Sequence, residues 1–185
     1  MSEASQGGAP FREARSNFHK LLASNPNYFG TAPESELSVV ESVQFNTGFE
    51  ELTCIGVWPE RDLLEATILI KLPFGFAGDL CTRGSFEYVR FFIDWDSNGD
   101  FFGFNEDLGV VAVNVHDIPE VEKFPLCYAL AQPFNPLPAN CRGPFIVRLR
   151  AILSWEVVPT DPNFIPVFGN VLECMVQIRP TAPAP

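Results

Sequence analysis

The chain has 185 residues and a formal net charge of −11 at pH 7, with a sequence pI near 4.5. This length fits one well-buried domain, since single domains commonly contain about 100–200 residues. So negative a chain repels phosphate backbones and anionic lipid headgroups, and we therefore expect neither nucleic acid nor a membrane surface as a partner.

The composition favours a strand-rich protein without a membrane span. The 18 Phe and 17 Pro residues are typical of many short strands closed by proline-bearing loops. Charged residues interrupt the apolar runs well short of the roughly 20 residues needed to cross a bilayer. The first residues show no basic region followed by an apolar stretch, so we expect no secretory signal and leave the compartment open.

The N-terminal region contains the one helix that the sequence predicts. Its apolar residues recur with a period near 3.6: Phe11, Phe18, Leu21 and Leu22. Pro26 then ends the helical pattern. We expect residues 1–36 to form an arm whose apolar stripe packs either on a neighbouring copy of the chain or on one end of its own domain.

After this arm the hydrophobic period changes from 3.6 to two, which indicates strands. Eight stretches are predicted as strands: 38–45, 51–58, 63–72, 86–94, 108–117, 123–131, 144–157 and 170–178. Three of them have clear inward faces, formed by Ala66, Ile68 and Ile70, by Val89, Phe91 and Ile93, and by Val147, Leu149, Ala151, Leu153 and Trp155.

Strands without intervening helices predict an all-β fold. We expect an antiparallel β-sandwich of about eight strands over residues 37–179, with Greek-key or jelly-roll connections. Residues 180–185 form a Pro-rich tail that can neither join a sheet nor form a helix.

An acidic stretch after the predicted strand 86–94 carries the clearest chemical signal. Asp94, Asp96, Asn98 and Asp100, with a glycine between the last two, match the D-x-D-x-N-G pattern in which alternate oxygen ligands surround a hard cation. The stretch resembles the EF-hand-like loops found in strand-flanked calcium sites of extracellular proteins. Position 12 is Asn105 rather than the usual glutamate, which makes Glu106 the expected extra ligand.

The same stretch has two other interpretations. Asn98-Gly99 favours a two-residue hairpin turn between adjacent strands, in which the carboxylates are exposed to solvent and bind no ion. Alternatively, Asp94, Asp96 or Glu106 could serve as the acid and base of a glycoside hydrolase. If calcium binds, we expect weak affinity, on the order of 10⁻⁴ to 10⁻³ M, and no other cofactor is required.

Aromatic residues near turns suggest a binding surface, because exposed rings can stack on sugars or on a partner's apolar surface. The candidates are Trp58, Trp95, Phe101, Phe102 and Phe104. Packing inside the domain is the alternative.

Five cysteines show no C-x-x-C spacing, so a structural zinc site is not expected. Cys81 and Cys141 each precede an Arg-Gly turn and a strand. We expect these two to form a disulfide if the chain matures in an oxidising compartment.

No nucleophile motif, phosphate loop or histidine cluster accompanies these features. The sequence therefore favours a non-enzymatic structural or protein-interaction module, whose partner is another copy of the chain or a different protein. A carbohydrate-binding module that uses calcium and the loop aromatics on a glycan is the second hypothesis, and a glycoside hydrolase the third.

Overall fold

A computed structural model describes residues 45–137 and 145–179. These residues form seven strands and one short 3₁₀ turn at Val121–Lys123. The strands are β1 (Glu50–Trp58), β2 (Leu63–Ile70), β3 (Ser85–Asp94), β4 (Asp107–Val115), β5 (Leu126–Pro133), β6 (Phe145–Trp155) and β7 (Val171–Ile178). All pairings between them are antiparallel, so the all-β prediction is confirmed for the described residues.

Seven of the eight predicted strands thus exist with nearly the expected bounds. The eighth, at 38–45, falls almost entirely outside the described residues, as do the predicted helix with Phe11, Phe18, Leu21 and Leu22, the Pro-rich tail 180–185, and Cys141. Among the residues that are described, no helix is long and apolar enough to span a membrane.

The strands form two sheets that share one hydrophobic core. The first sheet has the order β1-β2-β5 and the second has the order β4-β3-β6-β7. Buried residues of both sheets belong to the same cluster, for example Leu52 and Ile68 from the first and Phe91 and Leu149 from the second. The arrangement is therefore sandwich-like, with each sheet burying one face against the other.

Period-two alternation correctly identifies the faces that point into this core. Ala66, Ile68 and Ile70 are buried on β2, and the predicted inward residues of β3 and β6 are buried as well. The opposite face of the second sheet differs from the expectation, because Asp94 is buried rather than solvated.

A second apolar cluster covers part of that opposite face. It joins Phe92 and Ile152 of the sheet to Phe101 and Phe164 from loops. The guanidinium groups of Arg90 and Arg150 anchor the loop around Phe164, donating hydrogen bonds to the carbonyls of Pro159 and Pro162, both at 2.8 Å. Central strands of this sheet are consequently buried on both faces.

Side chains bond the two sheets together along both sides. On one side, Leu52 of β1 donates its N–H to Asn170 Oδ1 at 2.8 Å, and Asn170 Nδ2 donates to the Leu52 carbonyl at 3.0 Å. On the other side, Gln132 Nε2 of β5 donates to the Leu108 carbonyl of β4 at 3.3 Å. These bonds satisfy backbone groups that an open sheet edge would leave unpaired.

Candidate metal-binding loop

Residues 95–106 connect β3 to β4, and together with Asp94 at the end of β3 they contain the acidic stretch. The prediction of a two-residue hairpin turn at Asn98-Gly99 is wrong. The strands β3 and β4 stop pairing at Phe92 and Asp107, well before these two residues. Positive φ angles occur at Ser97 and Gly99 but not at Asn98, whereas a type I′ turn requires them at both central residues. The chain therefore returns through a wide loop.

Two buried carboxylates organise this loop. Asp94, which is 2 % exposed, accepts hydrogen bonds from the N–H groups of Asn98 and Gly99, both at 3.1 Å. Glu106, which is 1 % exposed, accepts from the N–H groups of Trp95 at 3.0 Å and Gly103 at 2.6 Å. Asp94 holds the middle of the loop and Glu106 ties its start to its last part, so together they determine its path.

Exposed polar side chains between these two carboxylates form a series of local turns. Asp96 Oδ1 accepts from the Asn98 N–H at 3.1 Å, Asn98 Oδ1 from the Asp100 N–H at 2.8 Å, and Asp100 Oδ1 from the Phe102 N–H at 3.0 Å. Bonds from a side chain to the N–H two residues later are typical of Asn and Asp in turns.

Three of the five predicted calcium ligands come together in this loop. One carboxylate oxygen each of Asp94, Asp96 and Glu106 lies within 4.8 Å of the other two. Asp100 is not part of this group of three, and its Oδ1 accepts the hydrogen bond from the Phe102 N–H. A carboxylate offers about four lone-pair sites, so the two hydrogen bonds that Asp94 and Glu106 each accept leave capacity for a cation.

The backbone directly before Glu106 is fixed at Asn105. Asn105 has φ of 61°, and its carbonyl accepts a 2.9 Å hydrogen bond from the Trp95 indole N–H. This anchor brings the next side chain, Glu106, toward Asp94.

Gly103 has a structural role that no sequence motif predicted. A β-carbon at this position would lie 2.8 Å from the carboxyl carbon of Glu106. A glycine is therefore needed for the close approach, and its place between Phe102 and Phe104 is the only hint in the sequence.

The five predicted binding aromatics have different environments. Trp95 and Phe101 are buried and unavailable to a partner, which corrects the prediction for these two. Trp95 stacks on Phe145 with 5.9 Å between ring centroids, and the Arg150 guanidinium lies 4.4 Å above the Phe101 ring. The loop needs both rings for its own packing.

Phe102 and Phe104 point outward and are 62 % and 91 % exposed. Trp58 is exposed at the end of β1, with the Arg61 guanidinium 4.5 Å from its ring centroid. The exposed aromatic surface beside the acidic loop therefore consists of Phe102 and Phe104.

A shallow groove of about 170 Å³ lies next to the loop. It is lined by Asn105, Asp107, Leu108, Pro133, Phe134 and Asn135. Pockets that enclose drug-sized ligands are usually about 300–1,000 Å³, so this groove is too small to bury a large ligand.

An ion pair fixes the start of β4 beside the loop. Arg90 donates from Nε to Asp107 Oδ1 at 3.0 Å and makes a second contact through Nη2. Burial alone would raise the pKa of Asp107, but hydrogen bonds from Arg90 and from the Gly109 N–H outweigh it and lower this pKa. The ionised form of Asp107 is therefore favoured in the folded protein.

The lowered pKa of Asp107 predicts a pH-dependent contribution to stability. The pair should stabilise the fold above the unfolded pKa of Asp107, and this contribution is lost as the pH falls through the lower folded pKa. Because the Asp107 side chain is 45 % exposed, we expect Asp107→Asn to cost no more than about 1 kcal/mol at pH 7.

Urea denaturation at several pH values tests this prediction. The difference between the wild type and Asp107→Asn should shrink below about pH 4, where the unfolded carboxyl is protonated. A difference that stays constant down to about pH 2 would show that the stability change does not depend on the Asp107 charge.

Cys81 is exposed in the turn before β3, and the structure does not test its predicted disulfide with Cys141. The sequence matches no protein-family model, and no curated protein is significantly similar to it.

Proposed function

We propose that this protein is a non-enzymatic β-sandwich interaction module whose β3–β4 loop binds a calcium ion through Asp94, Asp96 and Glu106. The observation that carries the proposal is the convergence of these three carboxylates within 4.8 Å. Oxygen-only ligands suit Ca²⁺, which accepts six to eight oxygens in irregular geometry. Asn98, the Asp100 region and solvent would supply the remaining ligands.

The burial of two of these carboxylates favours a cation over sugar hydrolysis. A glycosidase needs one carboxyl group on each side of a sugar ring, both accessible to the substrate. Here Asp94 and Glu106 are buried, and backbone N–H groups of their own loop already bond them. This arrangement suits an ion better than a sugar ring.

The interaction role rests on apolar side chains at the surface. Ile146 of β6 and Met175 of β7 are both exposed, and the strand register places them diagonally adjacent. Such neighbours offer apolar area to a protein partner, including a second copy of the chain.

Native mass measurement of the wild type and of Met175→Lys gives the number of chains in each assembly. A monomer in both cases argues against self-association through this surface.

Phe102 and Phe104 support the alternative of a carbohydrate-binding module. Their exposed rings flank Gly103, directly beside the proposed calcium loop, where they could stack on a sugar. A glycan array with the wild type and with Phe104→Ala separates this function from a purely protein-directed one.

Calorimetric titration with Ca²⁺ tests the proposed site. We expect the wild type to bind with a dissociation constant on the order of 10⁻⁴ to 10⁻³ M. Asp96→Ala should lose this binding, because it removes one of the three carboxylates of the cluster. Asp96 is the exposed member, so the two buried carboxylates stay in place and the loop keeps its fold. At about 5 mM Ca²⁺ the bound ion should raise the free energy of unfolding by about 1–2 kcal/mol.

Asp79→Ala is the matched control. Asp79 is also exposed and bonds the N–H two residues later, at 2.9 Å, but it lies in a different loop. This variant should bind Ca²⁺ like the wild type. Absence of calcium heat at millimolar concentrations, or equal heats for the wild type and Asp96→Ala, would rule out the site.

A further inference from the structure

Two cysteines lie near each other where β1 of the first sheet packs against β7 of the second sheet. Cys54 lies on β1 and Cys174 on β7, strands of different sheets that pack against each other. The carbonyl oxygen of Ile55 lies 3.9 Å from Cys54 Sγ and 3.8 Å from Cys174 Sγ. The two thiols therefore approach the same backbone atom from residues that are far apart in sequence.

Local backbone structure holds both thiols at this place. The register of β1 against β2 shifts between Leu52 and Cys54, which indicates a bulge at this point of the strand. A bulge changes the direction of the side chains that follow it. Close by, the Asn170 side chain bonds both backbone groups of Leu52, so β1 is tied to the start of β7.

We propose that Cys54 and Cys174 are a redox-active pair that forms a disulfide between β1 and β7 by exchange with a small-molecule disulfide such as glutathione disulfide. The Cys54 thiolate attacks the reagent, one small thiol leaves, and a mixed disulfide forms at Cys54. The Cys174 thiolate then attacks the Cys54 sulfur and releases the second small thiol. The two protein thiols are oxidised, the reagent disulfide is reduced, and the two cysteine protons end on the released thiols.

This order of attack follows from the exposure of the two groups. Cys54 is exposed to reagent, whereas Cys174 is only partly exposed. Burial raises the pKa of Cys174, and the neighbouring Cys54 raises it further. Since the thiolate is the attacking species, Cys174 reacts more slowly with an external reagent and serves as the resolving thiol.

Peptide mapping of the full chain tests the proposal. The protein is incubated in glutathione disulfide, alkylated at its remaining thiols and digested with trypsin without reduction. Cleavage after Lys and Arg places Cys54 in peptide 21–61, Cys81 in 72–83, Cys127 and Cys141 in 124–142, and Cys174 in 151–185. We expect the linked species to join 21–61 to 151–185, with the loss of two hydrogen atoms.

The link should also raise thermal stability, because it closes a long loop in the unfolded chain. We expect the oxidised wild type to melt roughly 5–10 °C above the reduced protein. Cys54→Ser should lose both the linked peptide and this shift, whereas Cys127→Ser, which removes an exposed cysteine on β5, should keep both. The proposal is overturned if Cys54 and Cys174 are recovered as alkylated or glutathionylated peptides, or if either is linked mainly to another cysteine.

Discussion

Replacing Glu106 by alanine should lower the free energy of unfolding by roughly 2–4 kcal/mol, even without calcium. The Glu106 carboxylate is buried and accepts hydrogen bonds from the N–H groups of Trp95 and Gly103. Alanine would leave both donors without their partner in a site from which water is largely excluded. The loop between β3 and β4 would lose the contact that closes it.

Urea denaturation measures the free energy of unfolding of Glu106→Ala and of two further variants for comparison. Glu106→Gln keeps the side-chain shape but presents an amide N–H₂ group to one of the two N–H donors. Its free energy of unfolding should therefore lie between those of the wild type and Glu106→Ala. Glu122→Ala removes an exposed glutamate from the 3₁₀ turn and should change stability by less than about 0.5 kcal/mol. If Glu106→Ala is as stable as Glu122→Ala, the carboxylate does not hold the loop.

Gly169→Ala should lower the free energy of unfolding by roughly 3–5 kcal/mol. Gly169 has φ of 112°, a conformation that side chains rarely adopt. An added β-carbon would lie 2.2 Å from the carbonyl oxygen of Leu153, which belongs to β6 and cannot move aside cheaply. The next residue, Asn170, would also be displaced from its two hydrogen bonds to Leu52.

Two other glycines separate the contributions of backbone strain and steric overlap. Gly99 also has a positive φ, 92°, but a β-carbon there would meet nothing within 4 Å, so Gly99→Ala should cost only about 1–2 kcal/mol. Gly56 has open space and no positive φ, and Gly56→Ala should be nearly neutral or slightly stabilising. Equal stability of Gly169→Ala and Gly99→Ala would show that the overlap with Leu153 is relieved by the chain.

The strands of this protein could be predicted from the sequence because their signal is local. Alternation of apolar and polar residues depends only on the two-residue repeat of an extended chain, and it correctly marks the buried faces of β2, β3 and β6. The same applies to the acidic stretch, since Asp94, Asp96 and Asn98 stand close together in the chain and determine a series of turns without distant partners.

Other features depended on residues that are distant in the chain. Phe101 is expected at a loop surface from its neighbours, but it is buried because Phe164 and Arg150 cover it from other segments. Trp95 is buried for the same reason, because its ring stacks on Phe145 from a distant part of the chain. Exposure is a property of the packed molecule, so no local pattern could separate these two rings from Phe102 and Phe104.

By itself the sequence determined an all-β domain with an acidic loop after β3, because period-two patterning and carboxylate spacing are properties of neighbouring residues. The sequence also named Glu106 beside Asp94 and Asp96, but only the tertiary structure decided that Asp100 lies outside this group and that no tight turn forms at Asn98-Gly99. The physical reason is the burial of Asp94 and Glu106, whose carboxylates must accept backbone N–H groups once water is excluded. Their hydrogen bonds outweigh the local preference of Asn-Gly for a two-residue turn.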